Sequence, residues 1–82
     1  MRIEVRLFAT LAGYLPRDAE AGSTHLDVTE GSSVGDVVDT LGIPADLSRI
    51  ILVNDQGADE SRRLGEGDVV TIFPPLAGGA RR

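Results

Sequence analysis

The sequence predicts an α+β domain, a sheet carrying its helices on one face. Three observations predict it. Apolar and polar residues alternate over 2–8 and again over 69–73, one amphipathic helix with marked ends spans Ser33–Leu41, and 82 residues leave room for a single hydrophobic core.

In the first strand Ile3, Val5 and Leu7 fall on one face and Arg2, Glu4, Arg6 and Phe8 on the other, because successive side chains of a strand point to opposite sides. Phe8 therefore sits on the polar side. A short helix is expected at about Ala9–Leu15, where Leu11 and Leu15 are one turn apart and Pro16 ends the pattern. The polar stretch Arg17–Thr24 reads as a loop. His25–Thr29 reads as a second strand with Leu26 and Val28 facing inward, followed by a turn at Glu30-Gly31.

The main helix places Val34, Val37, Val38 and Leu41 on one stripe, the i, i+3, i+4, i+7 spacing of a buried face. Ser33 is its cap, Asp36 stands in capping-box position, and Gly42 followed by Pro44 stops it. Ile50–Val53, an unbroken apolar run, reads as a buried strand, Asn54–Gly57 as a turn and 58–63 as a polar connection. Gly65-Glu66-Gly67-Asp68 turns the chain into a last strand, with Val70 and Ile72 on one face and Thr71 and Phe73 on the other. Pro74-Pro75 cannot continue a ladder, so the chain leaves the fold there. Residues 1–75 are thus expected to form the domain, and 76–82 a flexible tail carrying Gly78-Gly79 and a three-residue extension.

Composition removes several function classes. Without cysteine there is no disulfide framework, no thiolate metal site, no cysteine nucleophile and no persulfide on the protein's own side chain. A net charge of −5 argues against nucleic-acid binding, which needs clustered positive charge, and favours basic partners. All eight cations are arginine, so no lysine amine here accepts an isopeptide bond. No apolar run is long enough to span a membrane and the first residues lack a secretion signal, which makes the cytoplasm the expected compartment.

Two apparent motifs carry no chemistry. Gly31-Ser32-Ser33-Val34-Gly35 satisfies the G-x-S-x-G string of serine hydrolases, but the single histidine, His25, precedes the serine, and the chain is too short for that fold. Ser33 is better read as a helix cap. His25 has no neighbour at metal-ligand spacing, and Asp55, Asp59 and Glu60 lack the pattern of a calcium loop, so they read as a solvated loop and no metal is expected.

Phe8 and Phe73 both fall on the polar faces of their strands. If those strands are neighbours, the rings form an exposed pair, a feature of partner surfaces, unless the tail or a loop folds back over them. The end of the chain adds a second signal. Gly78-Gly79 lets an enzyme channel close around bare backbone, and Pro74 to Gly79 spans at most about 20 Å when extended.

Val5-Arg6-Leu7-Phe8-Ala9-Thr10-Leu11, Ser33-Val34-Gly35-Asp36-Val37-Val38, Leu52-Val53-Asn54 and Gly67-Asp68-Val69-Val70-Thr71-Ile72-Phe73-Pro74-Pro75-Leu76-Ala77-Gly78-Gly79 together resemble the MoaD/ThiS family of ubiquitin-like sulfur carriers, over Met1–Gly79. The Leu-Phe-Ala-Thr-Leu opening and the Pro-Pro-x-x-Gly-Gly close are more similar to the MoaD branch, the small subunits of molybdopterin synthase. The resemblance implies a ubiquitin-like β-grasp fold, a mixed sheet with one main helix on one face. It implies a carrier rather than an enzyme: an adenylyltransferase of the MoeB type, using ATP and a sulfur donor, would convert the Gly79 carboxylate to a thiocarboxylate, with Gly78 beside it. The carrier itself would bind no cofactor. A large subunit of the MoaE type would receive the tail and move sulfur onto a pterin precursor. Phe8, Phe73, Pro74, Pro75 and Leu76 match the family's partner-facing surface. One departure stands out: Ala80-Arg81-Arg82 follows Gly79 and locks its carboxyl in an amide, which implies trimming by a metallopeptidase before activation. A protein modifier attached through Gly79, a carrier for another pathway, and an interaction module that keeps its tail remain as alternatives.

Overall fold

In a computed structural model, which describes residues 1–16, 22–44 and 46–75, the first alternating segment becomes β1 (Arg2–Leu7) and the last becomes β5 (Val69–Phe73). They pair in parallel at the centre of the sheet, Val5 beside Val70 and Leu7 beside Ile72. A 3-10 helix (Ala9–Tyr14), β2 (Ser23–Asp27), α1 (Val34–Leu41), β3 (Ile50–Val53) and β4 (Gln56–Ala58) lie between them in sequence. The sheet order is β2-β1-β5-β3-β4, with every pair antiparallel except β1–β5. The expected α+β sheet is therefore present. Ile3, Val5, Leu7, Val70 and Ile72 point into one core with Val34, Val37 and Val38 of α1, none more than 2% exposed.

The ends of α1 form as the sequence predicts. Ser33 Oγ accepts from Asp36 N–H at 3.3 Å while Asp36 Oδ2 accepts from Ser33 N–H at 3.0 Å, a reciprocal capping box. At the other end Gly42 takes the left-handed conformation (φ 80°), and Ile43 and Gly42 N–H groups donate back to Val38 and Asp39 carbonyls. The next free donors of the helix find partners that the sequence did not announce. Val34 N–H bonds Arg62 O and Gly35 N–H bonds Glu60 O, each at 2.9 Å. The approach is close at Gly35, where a Cβ would stand 3.3 Å from the Glu60 carbonyl. Residues 59–63, expected as a merely polar connection, thus dock by their backbone onto the helix start. Glu60 also pairs with Arg49, whose guanidinium donates to Leu47 O at 2.7 Å and Pro44 O at 3.1 Å and ties down the chain entering β3.

Four boundaries differ from expectation. The short helix is a 3-10 turn ending at Tyr14, because Leu11 alone is fully buried and a single anchor does not sustain an α-helix. β2 is Ser23–Asp27 rather than His25–Thr29, since its ladder extends only where β1 lies opposite, Arg6 against Ser23 to Arg2 against Asp27. Ile50–Val53 is half buried: Ile51 and Val53 face the core, while Ile50 is 39% exposed, because α1 covers only one side of the sheet. Finally, the turn after Val53 occupies just Asn54 and Asp55, both at positive φ (53° and 69°), as a two-residue hairpin requires. Gln56–Ala58 then pairs back on β3 as β4, a strand the sequence analysis missed. Residues 76–82, expected as a flexible tail, lie outside the described residues.

The pole opposite the chain exit is closed by Asn54 and Asp68. Val69 N–H donates to Asn54 Oδ1 at 2.9 Å and Asn54 Nδ2 to Asp68 Oδ1 at 3.0 Å, while Gly65 N–H donates to Asp68 Oδ2 at 2.7 Å. The Gly65 N–H first, then the Asn54 amide, hold the Asp68 carboxyl below the ordinary carboxylate range, with a smaller contribution from the Arg62 charge. A carboxylate with a lowered native pKa stabilises the fold fully above its unfolded value of about 4, and that stabilisation is lost as pH falls through the native value.

Two outcomes follow from these contacts. Ser33→Ala is expected to cost about 1 kcal/mol, which lowers the midpoint of thermal unfolding by roughly 4–8 °C in a domain of this size. In Asp68→Asn the fall in thermal midpoint between about pH 5 and pH 3 should be shallower than in the parent chain. Equal slopes would show that Asp68 does not carry the acid-side loss.

Candidate functional site

The register of β1 with β5 continues one step beyond Leu7 and Ile72, where Phe8 N–H donates to Ile72 O at 3.2 Å. At that step the side chains turn to the outer face of the sheet. The Phe8 and Phe73 rings meet edge to face, centroids 6.5 Å apart and planes at 81°, the arrangement that aromatic quadrupoles favour. Phe8 is 51% exposed, so the rings cover each other only in part.

On the far side Phe73 lies opposite Ile50 of β3, another exposed residue. Phe8, Phe73 and Ile50 therefore form an apolar row across three neighbouring strands. Pro74, half-buried, and Pro75, exposed, continue the chain directly from Phe73. Toward β2 the row gives way to charge: Arg6 Nε bonds Glu4 Oε2 at 2.7 Å, and His25 Nε2 stands 3.9 Å from Glu4 Oε1. The hydrogen bond it donates to Glu4, then the Glu4 charge, raises the pKa of the Arg6 guanidinium above its ordinary value. Beside Phe8 an open groove of about 460 Å³ runs between Arg6, Leu7, Ala9, Gly22 and Ser23.

The structure brings Phe8, Phe73, Pro74 and Pro75 together. Leu76, Gly78, Gly79 and the extension Ala80–Arg82 lie outside the described residues. Ile50 is the residue that sequence reasoning missed. Its signal was present, since Ile50 and Leu52 share one parity and Ile51 and Val53 the other, but only the register with Phe73 shows which pair faces out. Chemically the surface offers apolar contact rimmed by an ion pair. Among the described residues no cluster of three or more histidine, aspartate or glutamate side chains is placed to hold a metal, and no helix is long and apolar enough to cross a membrane.

A mixed five-strand sheet in this order with one α-helix across its inner face is the ubiquitin-like β-grasp, the class to which this domain is assigned. The chain belongs to the Mut7-C ubiquitin family, whose family model matches residues 1–78. Its fold is similar to that of SAMP1 from Haloferax volcanii, with 26% identity over 96% of this chain and 100% of that one and a TM-score of 0.74. It is also similar to the HVO 2177 protein of the same organism, at 29% identity over 96% and 87% of the two chains and a TM-score of 0.76. A third likeness is to the protein-protein complex of subunits 1 and 2 of molybdopterin-converting factor from Helicobacter pylori, at 25% identity over 96% and 100% and a TM-score of 0.61. No curated protein sequence matches significantly. The expected β-grasp and the resemblance to ubiquitin-like carriers of the MoaD kind are borne out.

The exposure of the row separates binding from stability. Phe8→Ala is expected to cost the fold less than about 1 kcal/mol, whereas Ile72→Ala, which empties a core position, should cost roughly 2–5 kcal/mol in urea unfolding. Comparable losses for both would place Phe8 in the core.

Proposed function

We propose that this domain is a sulfur carrier whose outer apolar row docks on partner proteins while its C-terminal Gly79 carries the sulfur. One observation carries the reading: Phe8 and Phe73 sit at the point where the chain leaves the sheet toward Gly78-Gly79. A partner held on that row is within about 20 Å of Gly79 along extended backbone.

The chemistry needs a free carboxylate, and Gly79 has one only after hydrolysis of the Gly79–Ala80 bond. A metallopeptidase is the proposed agent. Attack of the freed carboxylate on the α-phosphorus of ATP expels pyrophosphate and gives an acyl adenylate, whose AMP is a good leaving group. Addition of sulfide at the acyl carbon and loss of AMP leaves the thiocarboxylate. An adenylyltransferase of the MoeB type is the proposed catalyst of both steps. The carrier contributes the acyl group and the docking surface, so the absence of cysteine is no obstacle. By analogy with the subunit pair from Helicobacter pylori, a large subunit of the MoaE type is the proposed acceptor, and molybdopterin formation the proposed destination.

A second reading, a protein modifier attached through Gly79, draws on the likeness to SAMP1, a small archaeal modifier protein. The acceptor amine would have to come from another protein, because all eight basic residues here are arginine.

A chain ending at Gly79, incubated with the activating enzyme, ATP and sulfide, is expected to exchange one carboxyl oxygen for sulfur in intact-mass spectrometry. The chain that retains Ala80 should stay unchanged. Phe73→Ala in the trimmed chain should weaken binding to the activating enzyme by about 2 kcal/mol or more, as loss of an aromatic anchor does. A trimmed chain that is adenylated but transferred to lysines of other proteins, with no thiocarboxylate formed, would favour the modifier. A trimmed chain that a competent enzyme never adenylates would overturn both readings.

A further inference from the structure

Among the described residues three large hydrophobic side chains stand exposed: Phe8 at 51%, Leu47 at 39% and Ile50 at 39%. Single exposed residues of this kind are ordinary on a protein surface, but these three share one pole of the sheet. β1 runs parallel to β5, so Phe8 lies where β5 ends, and β3 starts there because Ile50 is opposite Phe73. Leu47 precedes Ile50 by three residues and is therefore within about 10 Å of it along the chain. It is not among the hydrophobic residues that pack on the core.

Arg49 shapes the segment that carries Leu47. Its Nη1 donates to Leu47 O at 2.7 Å and to Pro44 O at 3.1 Å, the carbonyl that also accepts Leu47 N–H at 3.1 Å. Nη2 pairs with Glu60, only 7% of the side chain is exposed, and Nε has no partner among the described residues. A buried guanidinium with an unpaired donor is a poor source of stability, since apolar packing of the same volume serves a fold as well. What it adds is a fixed turn, because one nitrogen gathers both carbonyls and so sets where Leu47 stands.

We propose that Leu47 is a further docking contact for the partner that receives the tail, and that Arg49 is the positioning residue that holds it in place. The identity of that partner rests on the carrier reading proposed for this domain. The exit of the chain selects the occupant. A protein that closes around Gly78-Gly79 has at most about 20 Å of backbone from Pro74 in which to do so, so the mouth of its channel has to come down on this pole. Phe8 and Ile50 flank Phe73 on its two sides, and Leu47 extends that apolar rim beyond Ile50. The matching chemistry on the partner is an apolar rim, since a charge left unpaired against Leu47 would be costly.

Binding of the chain to the activating enzyme without ATP, with residues 80–82 present and removed, tests this. Leu47→Asp should raise Kd at least about tenfold and Leu47→Ala about threefold, with urea midpoints close to the parent's because the side chain is exposed. Gln56→Asp, which adds the same charge at the opposite pole, should bind as the parent does. Arg49→Lys, with folding verified by circular dichroism, should weaken binding in the parent chain and have no further effect once Leu47 is replaced by alanine. A merely structural Arg49 would weaken both backgrounds alike, and that result, or an unfolded Arg49→Lys, would overturn its positioning role. Equal Kd values for the parent and Leu47→Asp would overturn the docking contact, as would an enzyme that binds neither form of the parent. Leu47-dependent binding to an enzyme that never adenylates the trimmed chain would overturn the carrier reading alone and leave the contact in place.

Discussion

The parallel pairing of β1 with β5 is the constraint on which the rest of the structure depends. It joins the first strand to the last in parallel, so the chain between them must cross one face of the sheet to bring β5 alongside β1. That crossover is where α1 lies, and its valine stripe covers the face on which Ile3, Val5, Leu7, Val70 and Ile72 converge. The same pairing sets Phe8 beside Phe73 on the other face. Core and candidate docking surface are two sides of one register. A slip of one residue would exchange them, placing the rings inside and the aliphatic residues in water.

Much of this was legible in the sequence because two local signals agree with the tertiary demand. Strict alternation in β1 and β5 puts Phe8 and Phe73 on the outer parity without knowledge of any neighbour. The capping box of Ser33 and Asp36 and the Gly42 cap of α1 are contacts between residues only a few apart. What stayed hidden depends on partners distant in sequence. The apolar run Ile50–Val53 has no polar residue to mark an outward face, so exposure of Ile50 follows only from its position opposite Phe73. The bonds from residues 60 and 62 to the start of α1 span more than twenty residues and leave no periodic trace.

β4 illustrates a different limit. Gln56-Gly57-Ala58 has low strand propensity, and Asn54–Gly57 reads as one turn. The ladder with Ile51–Val53 forms because two consecutive positive-φ residues reverse the chain tightly enough to bring Gln56 opposite Val53. Tertiary pairing overrides a weak preference there. Asn54 also spends its side chain on Val69 N–H and Asp68, so one residue both turns the hairpin and fastens the start of β5.

The two faces of the sheet divide the tasks of a small domain. With one core and α1 on a single side, no described element packs on the opposite face, and an apolar row there costs solubility rather than fold stability. The net charge of −5 and the Glu4–Arg6 pair beside Phe8 counter that cost by keeping the surroundings of the row polar. For the proposed docking, apolar contact in the row would supply affinity and the ion pair at its rim would orient the partner. Pro74-Pro75, rigid and unable to pair, carries the chain out of the sheet at the edge of the row. In the proposed carrier, a partner docked on that row and a carboxyl freed at Gly79 would need no catalytic residue from this domain, since the partner would complete the active site.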